Sequence, residues 1–212
     1  MSTTTRSKTR GSPRKRTGGR SARVVEHVLD AALDEMARVG YAALSFDSVA
    51  ALAGVSRTTV YRRWPTKADL VRAAVLAQME IEPPAPDTGS IRRDLLELLT
   101  QTFCHSTPRD VALLRGVMAA ATDPDVAALT RFARARREER YFTIVDRAIK
   151  RGELPPGTPP RLVIEPLMAV TYFRLCVFGE TTPRERFEPL VDLILAGARA
   201  VAAPPRPPPA QG

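Results

Sequence analysis

Arg57, Thr58, Thr59, Tyr61, Arg62 and Arg63 lie within one seven-residue stretch, and Lys67 follows four positions later. Guanidinium forks match guanine edges and phosphate oxygens. Hydroxyls bond to either, and an ammonium supplies a point charge for phosphate. The chemistry these types imply is recognition of a polyanion, not bond making. Elsewhere the chain shows no paired His and carboxylate at a meaningful spacing, no Gly-rich phosphate loop and no nucleophile motif. An enzyme is therefore not expected.

The elements around the cluster decide whether it can read DNA. Gly54-Val55 reads as the turn of a helix-turn-helix, with Val55 as its apolar plug and Ser56 as a cap for the helix that follows. Val60 and Trp64 are four apart and share the inner face of that helix, which leaves Arg57, Thr58, Arg62 and Arg63 outward. Trp64 reads as a core wedge in preference to a base-stacking residue. Two helices must support it. One runs from Ser21 to Gly40 with Val25, Val28, Leu29, Ala32, Leu33 and Met36 at helical spacing. A short one, capped by Ser45, has Phe46, Val49, Ala50 and Ala53 inward. The small Ala50 suits a steep crossing of two helices. A fourth helix starts at Pro65-Thr66, capped by Thr66 and answered by Asp69, and continues to about Ile81. Lys67 sits at its positive end, placed for a phosphate.

Residues from about 24 to 71 resemble the DNA-binding domain of the tetracycline-repressor (TetR) family of bacterial regulators. The resemblance rests on the helix ending at Gly40-Tyr41 and on Ser45-Phe46-Asp47-Ser48-Val49-Ala50. Ala53-Gly54-Val55-Ser56, Thr59-Val60-Tyr61-Arg62-Arg63-Trp64 and Lys67-Ala68-Asp69-Leu70 complete it. The family more often carries Phe where Trp64 stands and a small residue near Thr58. The fold it implies is all-α, with about nine helices: a three-helix reading domain followed by a helical ligand-binding and dimerisation domain. Arg57, Thr58, Thr59, Tyr61, Arg62, Arg63 and Lys67 become the expected contacts to double-stranded DNA.

Charge agrees with such a partner. The 212 residues carry 32 Lys and Arg against 23 Asp and Glu, a net charge of +9. Arg6, Lys8, Arg10, Arg14, Lys15, Arg16 and Arg20 supply most of it, with no acid among residues 1–20. That stretch is expected to be disordered, either an arm that follows phosphates or a solubilising tail. The expected domains are then 21–66 for the reading head, 67–202 for effector binding and dimerisation, and 203–212 for a loose Pro-rich tail. Two Cys and two His show no metal spacing, so neither metal nor cofactor is expected. No apolar run reaches a membrane span and no apolar segment follows the basic start, so no membrane partner is expected and a cytoplasmic protein is the simple reading.

Beyond the Pro-rich break at 82–90, five more helices are expected. They start near Ser90, at Pro108, at Asp123-Pro124, near Arg161 and near Pro183. The long one after Pro124 carries many arginines beside glutamates and reads as a solvated face laced with ion pairs. The resemblance implies a homodimer through the last two helices, with Leu167, Val170, Arg174, Phe187, Leu190, Val191 and Ile194 as candidates. It also implies an unidentified small-molecule effector bound among the C-terminal helices. Candidate lining residues are Phe103, Cys104, His105, Met118, Phe132, Tyr141, Met168, Tyr172 and Phe173, for each of which ordinary core packing is the weightier competitor. The function expected is a regulator, in the first place a repressor, released from a palindromic operator by that effector. Two alternatives stay open: a redox-sensing regulator using Cys104 or Cys176, and an effector-free architectural DNA binder.

Overall fold

The computed structural model describes residues 19–180 and 182–201. The expected basic arm, but for the backbone of its last two residues, and the expected C-terminal tail lie outside the described residues. Within them the protein is all-helical, with nine α-helices. These are α1 Gly19–Ala43, α2 Phe46–Leu52, α3 Arg57–Tyr61, α4 Lys67–Ile81, α5 Ile91–Leu99, α6 Pro108–Ala119, α7 Pro124–Lys150, α8 Pro160–Phe173 and α9 Arg184–Val201. Helices α5 and α8 each run on into a wider π-helical turn, Thr100–Cys104 and Arg174–Phe178. The even apolar spacing of those stretches gave no sign of the widening.

Local chemistry sets most of the boundaries. Ser45, Ser56 and Thr66 accept hydrogen bonds from the backbone N–H of Ser48, Thr59 and Asp69 at 3.2, 3.3 and 3.1 Å. Thr107 and Asp110 form a reciprocal capping box on α6, and Asp123 accepts from two amides at the start of α7. Ser90 makes no such bond. Instead the Ile91 N–H donates to Glu153 Oε2 at 2.9 Å, so α5 is capped from across the fold by a residue three positions beyond α7. Gly40 breaks α1 at φ 77, where a side chain would be strained, and the chain resumes one short turn to Ala43.

The apolar faces gather into two cores. One joins α1 to α4 with Val126 of α7 and includes Val28, Met36, Val49, Val60 and Leu70. The other joins α5, α7, α8 and α9 and includes Leu95, Phe103, Ile144, Leu167 and Phe187. Helix α6 has no fully buried residue and belongs to both. Its Leu113 and Val117 pack on the first core, and its Val111 and Leu114 on the second. Arg109 of α6 pairs with Asp34 of α1 at 2.5 Å, and Arg115 donates to the Cys176 carbonyl in the π turn of α8 at 2.7 Å. This helix is a splint between the reading head and the C-terminal bundle.

Gly116 lies where α6 meets α1. A Cβ there would stand 3.5 Å from the Met36 carbonyl oxygen and 3.9 Å from the Gly40 Cα. The first is ordinary contact, so Gly116→Ala is expected to be tolerated and to gain about 0.5–1 kcal/mol of helix propensity. A branched side chain would drive against the α1 backbone, and Gly116→Leu is expected to cost about 1–3 kcal/mol. Urea unfolding of the two variants checks both signs.

Candidate nucleic-acid interface

The turn between α2 and α3 is made by Gly54 at φ 65, with the Val55 N–H donating to the Ala50 carbonyl at 3.0 Å. Val60 is fully buried, and Trp64 packs against the same core. Burial of Val60 contributes about 1.5–3 kcal/mol and fixes the rotation of α3 about its own axis. Arg57, Thr58, Arg62 and Arg63 are thereby exposed on one surface, with Tyr61 beside them. Helix α3 is shorter than the apolar spacing suggested. It ends at Tyr61, and Arg62 to Trp64 form its closing turn through the Trp64 N–H to Val60 carbonyl bond at 3.0 Å.

The outward side chains are already partly organised. The Arg57 guanidinium lies 5.1 Å from the centre of the Tyr61 ring and donates to its hydroxyl at 3.2 Å. It also pairs with Asp47 of α2 at 3.0 Å. Tyr61 in turn packs edge-on against Phe46 with ring centres 4.3 Å apart. The Thr59 hydroxyl is bonded to Ser56 Oγ at 2.8 Å, so it completes the cap as well as facing outward. Arg63 donates to Ser21 Oγ on α1 at 2.6 Å. The Arg62 guanidinium has no hydrogen-bond partner among the described residues, while its backbone N–H donates to the Thr58 carbonyl at 3.1 Å. Asp47 is a positioning residue that sequence reasoning did not single out, because only the fold brings it opposite Arg57.

Lys67 is more occupied than its place in the sequence suggested. Its ammonium donates to the Tyr41 and Ala42 carbonyls at 2.9 and 3.0 Å and stands 4.9 Å from the centre of the Tyr41 ring. Those carbonyls end α1 and have no helical partner of their own. Lys67 therefore braces α4 to α1 and keeps one N–H for any other acceptor.

Comparison with known proteins agrees with this arrangement. A family model described as bacterial regulatory proteins, tetR family, matches residues 28–74, and one described as tetracyclin repressor-like, C-terminal domain, matches residues 85–194. The chain belongs to the TetR family. It is 35% identical over 179 residues to the HTH-type transcriptional regulator AqdR of Rhodococcus erythropolis, covering 84% of this chain and 86% of that one. It is 47% identical over 70 residues to the DNA-binding transcriptional repressor TetR of Mycobacteroides abscessus, covering 32% and 37% of the two chains. The crystal structure of the TetR-family transcription regulator SCO0332 superposes with a TM-score of 0.64 at 31% identity, covering 82% of this chain and 97% of that one. The protein is accordingly a helix-turn-helix transcriptional regulator, of a family whose members bind DNA and form dimers. No described helix is long and apolar enough to cross a membrane.

The C-terminal half of this TetR-family regulator divides the candidate residues. Phe103 and Tyr141 are buried in the second core, with Met168 and Tyr172 packed against it. Phe103 and Tyr172 meet edge-to-face at 4.9 Å. His105 and Met118 are exposed and do not join them. Phe132 lies far from that group, in a groove with Trp64 and Pro65. Cys104 is half-buried, its thiol 3.6 Å from the Thr182 carbonyl, and Phe173 is exposed.

The dimer candidates also divide. Leu167, Phe187 and Val191 are wholly buried in the protomer's own core and offer nothing to a partner. Leu190 and Ile194 are half-buried against that core, Val170 is exposed, and Arg174 is paired with Glu180. The outward apolar residues include Val170, Phe173, Val177 and Phe178 of α8 and its π turn, and Leu193 of α9. Helices α8 and α9 each carry two apolar stripes, and periodicity alone does not tell the inner from the outer.

Helix α3 has five residues and depends on its cap. Ser56→Ala removes the bonds to the Thr59 amide and hydroxyl and is expected to cost about 1 kcal/mol of stability. DNA affinity should fall further than that loss predicts, since Thr59 is released as well. Thermal unfolding and fluorescence anisotropy on one DNA duplex measure the two effects separately.

Proposed function

We propose that this regulator is a repressor that binds a near-palindromic operator as a homodimer and leaves it when a small-molecule effector binds its C-terminal domain. The observation that carries the reading is the geometry of α3. Its apolar residue Val60 is locked inward while guanidinium and hydroxyl groups stand outward, the disposition a major-groove helix requires. One such helix reads few base pairs. Two, related by a two-fold axis, reach successive major grooves about 34–36 Å apart. The exposed apolar side chains of α8, its π turn and α9 offer the surface that would bring them there, because Val170, Phe173, Val177, Phe178 and Leu193 lie open and call for cover.

In this reading Arg57, Thr58, Thr59 and Arg62 face bases, while Tyr61, Arg63 and the remaining N–H of Lys67 hold phosphates. The basic arm, outside the described residues, would add phosphate contacts. The expected limits of 21–66 and 67–202 cut between α3 and α4, whereas Leu70, Val71 and Ala74 of α4 pack in the first core, so in this reading α4 goes with the reading head. The effector must prefer the state that does not fit DNA, since equal affinity for both states shifts nothing. Phe103, Tyr141, Met168 and Tyr172 are the candidates for contact with it inside the bundle. The thiol-switch alternative has less chemical support: burial pushes the thiols of both Cys104 and Cys176 above their ordinary range, away from the reactive thiolate.

Selection of bound duplexes from a random pool tests the core of the proposal, which expects one palindromic site with half-sites about one helical turn apart. General coating without a preferred sequence would sink it. On that site, Arg62→Ala is expected to lose about 1–3 kcal/mol of discrimination at one base pair. Lys67→Ala should weaken specific and random DNA alike, with part of its effect appearing as lower thermal stability through the lost α1–α4 brace. Phe173→Glu and Leu193→Glu place charge on the exposed apolar face of α8 and α9. Analytical ultracentrifugation should then show monomers, while circular dichroism stays helical.

A further inference from the structure

Asp47 puts a negative charge beside the outward face of α3, where a polyanion is to be met. It stands in the first turn of α2, two residues after the Ser45 cap. Its carboxylate pairs with the Arg57 guanidinium at 3.0 Å, and the two side chains are 64% and 56% exposed. A pair so open to water adds little to stability. The acid also repels phosphates, so it lowers affinity for DNA of any sequence. What it changes for the better is the state of Arg57.

Arg57 is the first residue of α3. A major-groove helix addresses base edges from that end. Three contacts hold the guanidinium. Nη1 pairs with Asp47 Oδ2, Nη2 donates to the Tyr61 hydroxyl at 3.2 Å, and the guanidinium carbon lies 5.1 Å from the centre of the Tyr61 ring. Tyr61 is itself fixed edge-on against Phe46, which packs on the first core. Support therefore runs from the core through Phe46 and Tyr61 to Arg57, and Asp47 closes it from the side. A guanidinium has five N–H groups. Two of those on Arg57 are engaged within the protein, which leaves three for DNA.

We propose that Asp47 is a positioning residue that makes the operator contact selective: it steadies the Arg57 fork for the O6 and N7 acceptors of a guanine and withholds that fork from backbone phosphates. Guanine offers two adjacent neutral acceptors, and a fork bonds both at once. A phosphate carries a full negative charge. The carboxylate beside Arg57 repels it and leaves a neutral base edge unopposed. Affinity for DNA at large falls while the guanine contact is kept, which widens the gap between operator and random sequence. Tyr61 accepts from Arg57 and keeps its own O–H to donate to a phosphate. The inference rests on the reading above in which α3 enters the major groove. It adds the base that Arg57 reads and the residue that makes that contact selective.

The test selects duplexes from a random pool with the full chain, with Asp47→Asn, with Arg57→Ala and with the double variant. Anisotropy over a range of salt then gives affinities on the selected and on random duplexes. The wild-type chain is expected to prefer guanine at one position of each half-site by about fivefold or more, and Arg57→Ala to lose that preference. Asp47→Asn should bind random DNA about twofold or more tighter, a gain that misfolding does not produce. Its slope of log K on log salt should steepen by about 0.9, as one further phosphate is engaged. Its guanine preference should shrink toward that of Arg57→Ala. In the Arg57→Ala chain the same Asp47 substitution should leave base preference and salt slope unchanged, because Asp47 acts through Arg57. A role confined to steadying α2 would instead lower thermal stability in both backgrounds and leave base preference intact. That result, or no gain on random DNA, would overturn the proposal. So would an Asp47 effect on base preference that persists without Arg57, since Asp47 would then read a cytosine amino group itself. Selection of a palindrome without an Arg57-dependent guanine removes this inference and leaves the major-groove reading standing, whereas general coating of DNA removes both.

Discussion

Tyr41 holds three helices at one point. Its carbonyl and that of Ala42 accept from Lys67 at the start of α4, and its phenol donates to Asp125 Oδ2 in the first turn of α7 at 2.9 Å. Burial, then the Asp125 hydrogen bond and charge, push the phenol well above its ordinary range, so it remains a donor throughout the physiological span. The junction is needed because Gly40 breaks α1 and leaves carbonyls that no helix satisfies. Meeting those carbonyls with a cation from α4 turns a helix end into a joint. The reading helix lies between α2 and this joint in the chain, so its aim is set by how α4 is held against α1.

From that joint outward the protein has two ways of connecting its halves. One is apolar and runs through α6, which gives Leu113 and Val117 to the first core and Val111 and Leu114 to the second. The other runs through α7, which buries Val126 in the first core and Tyr141, Ile144, Val145 and Ala148 in the second and adds an ionic layer on its outer side. The arginines that read in sequence as a solvated face laced with ion pairs do pair, but many of the pairs cross between elements. Arg134 bridges Glu138 and Glu165, Arg161 closes the same group from α8, and Arg137, Arg140, Arg147 and Arg151 strap the connector after α4. Exposed pairs of this kind are each worth about 0–1 kcal/mol, so they add little stability singly. Asp94 differs: it is fully buried, and it is satisfied by the Thr88 amide and hydroxyl at 2.6 and 2.7 Å and by Arg151 at 3.4 Å. Removing those partners would strand a buried carboxylate, which makes the connector's path well determined.

Much of the fold was legible because its signals are local. Ser45, Ser56, Thr66 and Asp123 announce helix starts through local side-chain-to-amide hydrogen bonds, and Gly40 and Gly54 announce a break and a turn through φ values other residues avoid. The inward place of Val60 followed from its spacing to Trp64. What was not legible depends on partners distant in the chain. Ser90 looks like a cap, yet the cap of α5 comes from Glu153, 62 residues away. Asp47 looks like an ordinary first-turn acid until the fold sets it against Arg57. Leu167, Phe187 and Val191 share their helical period with the outward residues of the same two helices, and only packing decides that they face the protomer's own core. His105 and Met118 were marked by residue type alone, and the fold leaves both exposed, His105 in the turn after α5 and Met118 on α6.

The contrast between the two connections bears on how such a protein can be switched. A helix without a single fully buried side chain, as α6 is, can shift against its neighbours by repacking half-covered residues, and it need not vacate a core position. The ionic strap permits a different kind of change. Charged pairs at partly open positions can trade one partner for another at small net cost, because the incoming group restores what the outgoing one gave. The reading head, by contrast, is anchored by residues such as Val60, Leu70 and Met36 with no exposure at all, so its helices are packed as one body. In the repressor reading proposed above, a tightly packed head and a half-covered α6 would place deformation at the boundary between the two cores. A displacement there alters the separation of two reading helices in a dimer without distorting either one, and helix separation is the variable on which palindromic DNA is most exacting.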